Sequence, residues 1–79
     1  MAQINLSKIK RIDKQRNVIH AKVFSTYCVF EDCGEKYIQI DTYGNSDREM
    51  PEKISQSLQL DKATAKFLVN LLTKEFDLK

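Results

Sequence analysis

The sequence predicts an α+β domain: a four-stranded antiparallel curved sheet followed by one C-terminal helix packed on one face, in the order ββββα. Three observations predict it. "KYIQIDTYG" (Lys36–Gly44) and "ISQSLQL" (Ile54–Leu60) keep the two-residue period of strands. "KATAKFLVNLLTKEF", which follows Asp61, keeps the 3.6-residue period of an amphipathic helix. The 79 residues contain no repeat, low-complexity segment or linker, so one domain, 1–79, and one core are expected.

Taken in order, "INLSKIKRI" (Ile4–Ile12) reads as a first strand with imperfect alternation, and "DKQRN" as a polar connection. "VIHAKVFSTYCVF" (Val18–Phe30) is rich in β-branched and aromatic residues and reads as a long strand, bulged or bent near Ser25. "EDCGE" is a turn in which Gly34 can take a positive φ. The third strand puts Ile38, Ile40 and Thr42 on one face and Tyr37, Gln39, Asp41 and Tyr43 on the other. "GNSDREMP" (Gly44–Pro51) is a loop of turn-forming and charged residues, with Pro51 biasing Met50 toward extended backbone. In the fourth strand Ile54, Leu58 and Leu60 point one way with Gln56, and Ser55, Ser57 and Gln59 the other. Asp61 is a suitable N-cap.

The helix carries an apolar arc broader than one sheet contact requires. Two readings fit it. Either the helix is tucked into a curved sheet, or one edge covers the sheet while Val69, Leu72 and Phe76 meet a second copy of the chain. A domain this small gains from such a partner, because it buries a modest fraction of its surface alone.

Composition narrows the classes. With 42% hydrophobic and 30% charged residues the chain reads as folded and soluble rather than disordered. No apolar run approaches the roughly 18–20 residues of a membrane span, and "MAQINLSKIK" lacks a signal-peptide hydrophobic region, so a cytoplasmic location is expected. The net charge of +2 is unevenly spread. Residues 1–22 hold six basic side chains (Lys8, Lys10, Arg11, Lys14, Arg16, Lys22) against Asp13, net +5, and the remainder is net −3. That basic quarter is either a phosphate-facing surface or a solvated strand pair guarded by lysines.

No enzyme is expected. Cys28 and Cys33 are five apart, which is neither a redox pair nor a zinc pair. Cys28 reads as core and Cys33 as a free thiol near a turn. His20, the lone histidine, has no Ser, Cys or carboxylate partner at a diagnostic spacing and reads as a partly buried strand residue. Neither a phosphate-binding glycine loop nor a metal-ligand spacing is present, and no cofactor is expected.

Binding is the remaining class. Single-stranded nucleic acids are held by aromatic rings beneath the bases and by Lys or Arg along the phosphates. Tyr37 and Tyr43 serve either as stacking platforms or as cross-strand packing partners. In the nucleic-acid reading Lys8, Lys10, Arg11, Lys22 and Lys53 contact phosphates, and Gln39, Ser55 and Ser57 supply polar contacts. The alternative is a small protein-binding module, an inhibitor or accessory subunit of bacterial or phage origin, that uses the same aromatic face.

From Glu31 to Leu72 the chain resembles the positive cofactor four family of single-stranded-DNA-binding transcriptional coactivators. The matching positions are Ile40 and Asp41, Tyr43, Pro51, Lys53, Ile54, Ser55 and Leu58, with the helix from Asp61. The resemblance implies a curved four-stranded sheet with a C-terminal helix, pairing through helices and sheet edges into a dimer that grips single-stranded DNA on concave β-surfaces. The sequence departs from the family in its less basic loop, in Thr42-Tyr43 where an arginine usually follows Ile-Asp, and in lacking a tryptophan at the helix start. The pattern of Tyr37–Gly44 with "SQS.QLD" is also similar to short bacterial and phage proteins of unassigned role.

Overall fold

The computed structural model describes residues 1–14, 16–44 and 54–78. Four strands form one sheet: β1 (Ala2–Gln3), β2 (Ser25–Asp32), β3 (Glu35–Tyr43) and β4 (Ile54–Leu60), in the spatial order β1-β4-β3-β2. One helix, α1 (Lys62–Phe76), follows, and a 3-10 turn (Leu6–Lys8) lies near the N-terminus. The order ββββα is as the sequence predicts. The details of the first two strands are not.

The expected strand Ile4–Ile12 is replaced by the short β1, the 3-10 turn and a run without regular structure. Asn5 explains the break: its side-chain oxygen accepts from the Ser7 amide at 3.1 Å and from the Ser7 hydroxyl at 2.7 Å, a local bond that competes with a ladder. β1 pairs with β4 in parallel, Ala2 opposite Leu58 and Gln3 opposite Gln59, so the sheet is mixed rather than wholly antiparallel. Nor is it strongly curved. The second strand begins at Ser25 instead of Val18, and His20 and Cys28 are both exposed rather than partly buried or in a core. No irregularity falls near Ser25 in the β2–β3 register. The register shift lies instead between Thr42 and Tyr43, where Gln56 faces Thr42 and Ile54 faces Tyr43, leaving Ser55 opposite neither.

The β2–β3 hairpin is tight. Asp32 pairs with Glu35, and the two residues between them, Cys33 and Gly34, have φ of 52° and 80°. Positive φ at both central positions is the turn whose twist matches a right-handed strand pair. Gly34 adopts it freely, whereas Cys33 carries the cost of a side chain there. The expected loop from Gly44 to Pro51 lies, past Gly44 itself, outside the described residues, as does Lys53.

Asp61 alone connects β4 to α1. Its carboxylate accepts from the Thr64 amide at 2.8 Å, the N-cap bond expected of it. That bond, and the Thr64 hydroxyl beside it, hold the Asp61 carboxyl below its ordinary value of 3.8. A depressed folded value means that the charged cap stabilises the folded chain above the unfolded value and that this contribution disappears as pH falls through the folded one. Asp61→Ala is therefore expected to lower the thermal midpoint at neutral pH, and the difference from wild type to vanish at strongly acidic pH. Circular-dichroism melts at the two pH values check it. At the other end Asp77 turns left-handed at φ 54°, and the Leu78 amide donates to the Thr73 carbonyl at 3.0 Å, closing the helix.

The helix does not cover the sheet. Its principal neighbour among the elements is the 3-10 turn, and Ile9 and Ile12 of the irregular segment line a groove with Phe67, Leu71 and Phe76. Arg11 reaches Glu75 across that groove at 3.7 Å and Asp13 at 3.3 Å. The physical reason is the one-residue connection: strand-to-helix reversals in layered folds take about 2–6 residues, and Asp61 is itself extended (φ −90°, ψ 179°). Among the described residues no hydrophobic side chain is buried; only Asp41 and Thr64 are.

Candidate nucleic-acid or protein-binding face

The sheet has two unlike faces. Register places Val29 opposite Ile38 and Tyr27 opposite Ile40 on one side of β3, with Leu60 and Leu58 opposite the same two residues on the other. This is the apolar face. Leu60 is half-buried and the other five are exposed, Tyr27 the most at 76%.

The other face carries the site. Tyr37, Gln39, Asp41 and Tyr43 alternate onto it from β3, as the sequence predicts. Phe30 of β2 stacks on Tyr37 with ring centroids 5.5 Å apart and planes at 23°. At the opposite end of the strand Phe24 meets Tyr43 at 5.4 Å with planes at 54°. The Tyr43 amide donates to the Phe24 carbonyl at 3.1 Å, so the second pair is fixed by backbone as well. Each tyrosine thus packs against a phenylalanine across the strand pair and keeps part of its ring in solvent. Phe24 and Phe30 are not among the residues that sequence reasoning singles out. The signal available is their position opposite Tyr43 and Tyr37, which needs the register of the Cys33–Gly34 hairpin.

Between the aromatic pairs lies a polar ladder. The Ser57 hydroxyl donates to Asp41 Oδ1 at 2.5 Å and Gln39 Nε2 donates to the same oxygen at 2.9 Å. Gln59 Nε2 donates to Gln39 Oε1 at 2.8 Å. The Tyr43 and Thr26 hydroxyls lie 3.2 Å apart. Asp41 is only 8% exposed, because these partners crowd it from β3 and β4. Asp41→Ala would leave two donors without their acceptor, and is expected to cost about 1–3 kcal/mol in urea unfolding. Asp41→Asn, which retains an acceptor oxygen, is expected to recover most of it. Gln3 of β1 borders the ladder with Gln39, Ser57 and Gln59 around a shallow depression.

The remaining predicted site residues are dispersed. Lys10 and Arg11 stand along the groove between the irregular segment and α1, Arg11 being paired with Asp13 and Glu75. Lys8 ends the 3-10 turn and Lys22 precedes β2; both are exposed. No hydrogen bond or ion pair among the described residues links any of these four to the tyrosine face. Ser55 is exposed beside the register shift and joins no part of the ladder. Val69, Leu72 and Phe76 are exposed on α1; Leu72 and Phe76 also line the groove with Ile9, Ile12 and Phe67, and Val69 does not.

Among the described residues no three His, Cys, Asp or Glu side chains gather as a metal-binding group, and no helix is long and apolar enough to cross a membrane. No family model, curated protein or solved structure matches this chain.

Proposed function

We propose that the protein is a non-catalytic single-stranded nucleic-acid-binding protein that acts as a homodimer, in the manner of the coactivators it resembles over residues 31–72. The observation that carries this reading is the paired aromatics at both ends of one sheet face. Tyr37 and Tyr43 are six residues apart on β3, roughly 20 Å at about 3.3 Å per residue, so they bracket a run of nucleotides rather than stack neighbouring bases. The part of each ring left in solvent offers stacking surface, and Gln39, Ser57 and Gln59 offer amide and hydroxyl groups to base edges between them. The net +5 of residues 1–22 supplies phosphate-neutralising charge on a segment that is largely outside regular structure.

One observation favours the rival reading, a protein-binding module. Asp41 places a negative charge at the centre of the face, and two polar side chains of the ladder already donate to it. A carboxylate there repels phosphate and suits a partner's hydrogen-bond donors.

Binding of a fluorescent single-stranded 20-mer across a salt series, beside a duplex of the same sequence, separates the two. The nucleic-acid reading expects single-strand preference and a log–log salt slope reporting several phosphate contacts. Absence of binding at low salt overturns it and leaves the face to a protein partner.

A further inference from the structure

The polar ladder has a direction. A carboxylate accepts hydrogen bonds and does not donate them, so Asp41 dictates how its neighbours are turned. Gln39 presents its amide nitrogen to Asp41 Oδ1 at 2.9 Å, and the Ser57 hydroxyl donates to the same oxygen at 2.5 Å. With its nitrogen committed, Gln39 keeps its oxygen for β4, where Gln59 Nε2 donates to it at 2.8 Å. Donors from two strands therefore end, directly or through Gln39, on one carboxylate.

Both direct bonds fall on Oδ1. Among the described residues no side chain donates to Oδ2. Asp41 is crowded yet not sealed, since 8% of it is still reached by solvent. An acceptor in such a position gains much from a donor, because little water competes for it. Phosphate is unsuited to the place, since its oxygens are negatively charged acceptors too. The edge of a base is suited: it is planar, thin and carries N–H groups. Tyr43 stands two residues from Asp41 on the same face, roughly 7 Å away at about 3.3 Å per residue. A base lying on that ring has an edge within reach of the carboxylate.

We infer that Asp41 reads a base and selects guanine. The Watson–Crick edge of guanine sets N1–H and the N2 amine side by side, two donors for the lone pairs of Oδ2. Its O6 lies next to them, for the second hydrogen of Gln39 Nε2. Thymine offers one N3–H between two carbonyls, and both carbonyls oppose a carboxylate. The inference rests on the single-strand reading above and goes beyond it, since stacking and phosphate contacts carry little sequence information.

The test titrates the full chain, by fluorescence anisotropy at fixed salt, with three labelled single-stranded 20-mers. One is thymidine throughout; in the other two every fifth position is guanosine or inosine. The guanosine strand is expected to bind roughly 5- to 150-fold more tightly than the thymidine strand. The inosine strand, which keeps the purine ring and lacks only the N2 amine, is expected to fall between them. Asp41→Asn is expected to invert the order. The donors Ser57 and Gln39 hold the amide oxygen where Oδ1 was, so its nitrogen replaces Oδ2 and donates to a thymine carbonyl. One common change on all three strands in Asp41→Asn overturns the inference, because a merely structural carboxylate has that effect. Equal affinity of the wild-type chain for all three strands overturns it too, and keeps the single-strand reading. Absence of binding to any strand at low salt overturns that reading, and the inference with it. Should Asp41→Asn fail to fold, the wild-type chain decides: equal binding of the guanosine and inosine strands overturns the assignment to guanine.

Discussion

Ile40→Ala is expected to destabilise the protein by about 2–5 kcal/mol, the range for emptying a closed core of a branched aliphatic side chain. A single chain on its own does not support such a value. Ile40 is 38% exposed there, and truncating a side chain that lies outside a closed core costs about 1 kcal/mol, the centre of the range for point substitutions. The larger figure follows only if the apolar face is covered in the assembled protein. Ile40 is the informative position because register centres it between Tyr27 and Leu58. Urea unfolding gives the number, and it should be accompanied by a second sign: an unfolding midpoint that rises with protein concentration, since folding and association are then one equilibrium. A cost of about 1 kcal/mol or less and a midpoint independent of concentration would mean that the face is free.

The elements that the sequence discloses are those whose signals are local. Residues 36–43 and 54–60 alternate without interruption, and β3 and β4 contain them. Asp61 is an acceptor placed at the start of a 3.6-residue pattern, and it caps α1 through Thr64. Expectation and structure part where alternation competes with something it does not encode. In residues 4–12 the Asn5–Ser7 bonds nucleate a 3-10 turn. In residues 18–24 β-branched composition suggests a strand, but among the described residues the β2–β3 ladder ends with Ser25 opposite Thr42 and Tyr43 bonded to Phe24. The placing of the helix escapes the sequence for a different reason: periodicity tells which side of a helix is apolar, not which element it meets, here the 3-10 turn and the run with Ile9 and Ile12.

The same distinction applies to the site. Tyr37, Gln39, Asp41, Tyr43 and Ser57 share a face by strand alternation, and the hydrogen bonds and ring contacts gather them there. Phe24 and Phe30 enter only through the hairpin register. The lysines and Arg11 belong to a segment with little regular structure, whose path no periodicity fixes.

Tyr37→Ala and Tyr43→Ala are each expected to weaken single-strand binding by roughly 5- to 150-fold, the loss of one stacked base at about 1–3 kcal/mol. Both rings also pack, on Phe30 and Phe24, so a drop in affinity alone does not distinguish stacking from damage to the sheet. The phenylalanine variants make that distinction. Tyr43→Phe removes the hydroxyl near Thr26 and keeps the ring, while Tyr37→Phe keeps its stack on Phe30. If stacking carries binding, both Phe variants retain affinity and salt slope, because the π-face is unchanged and no phosphate contact is removed. Tyr43→Phe would then show a small stability loss from the hydroxyl with no loss in binding. A protein-docking face predicts the reverse sensitivity: hydroxyls directed at a partner count, rings count through packing, and no Tyr variant alters a nucleic-acid titration. Fluorescence anisotropy at fixed salt, read beside urea midpoints for the same four variants, separates the two outcomes, since only stacking makes affinity follow the ring while stability follows the hydroxyl.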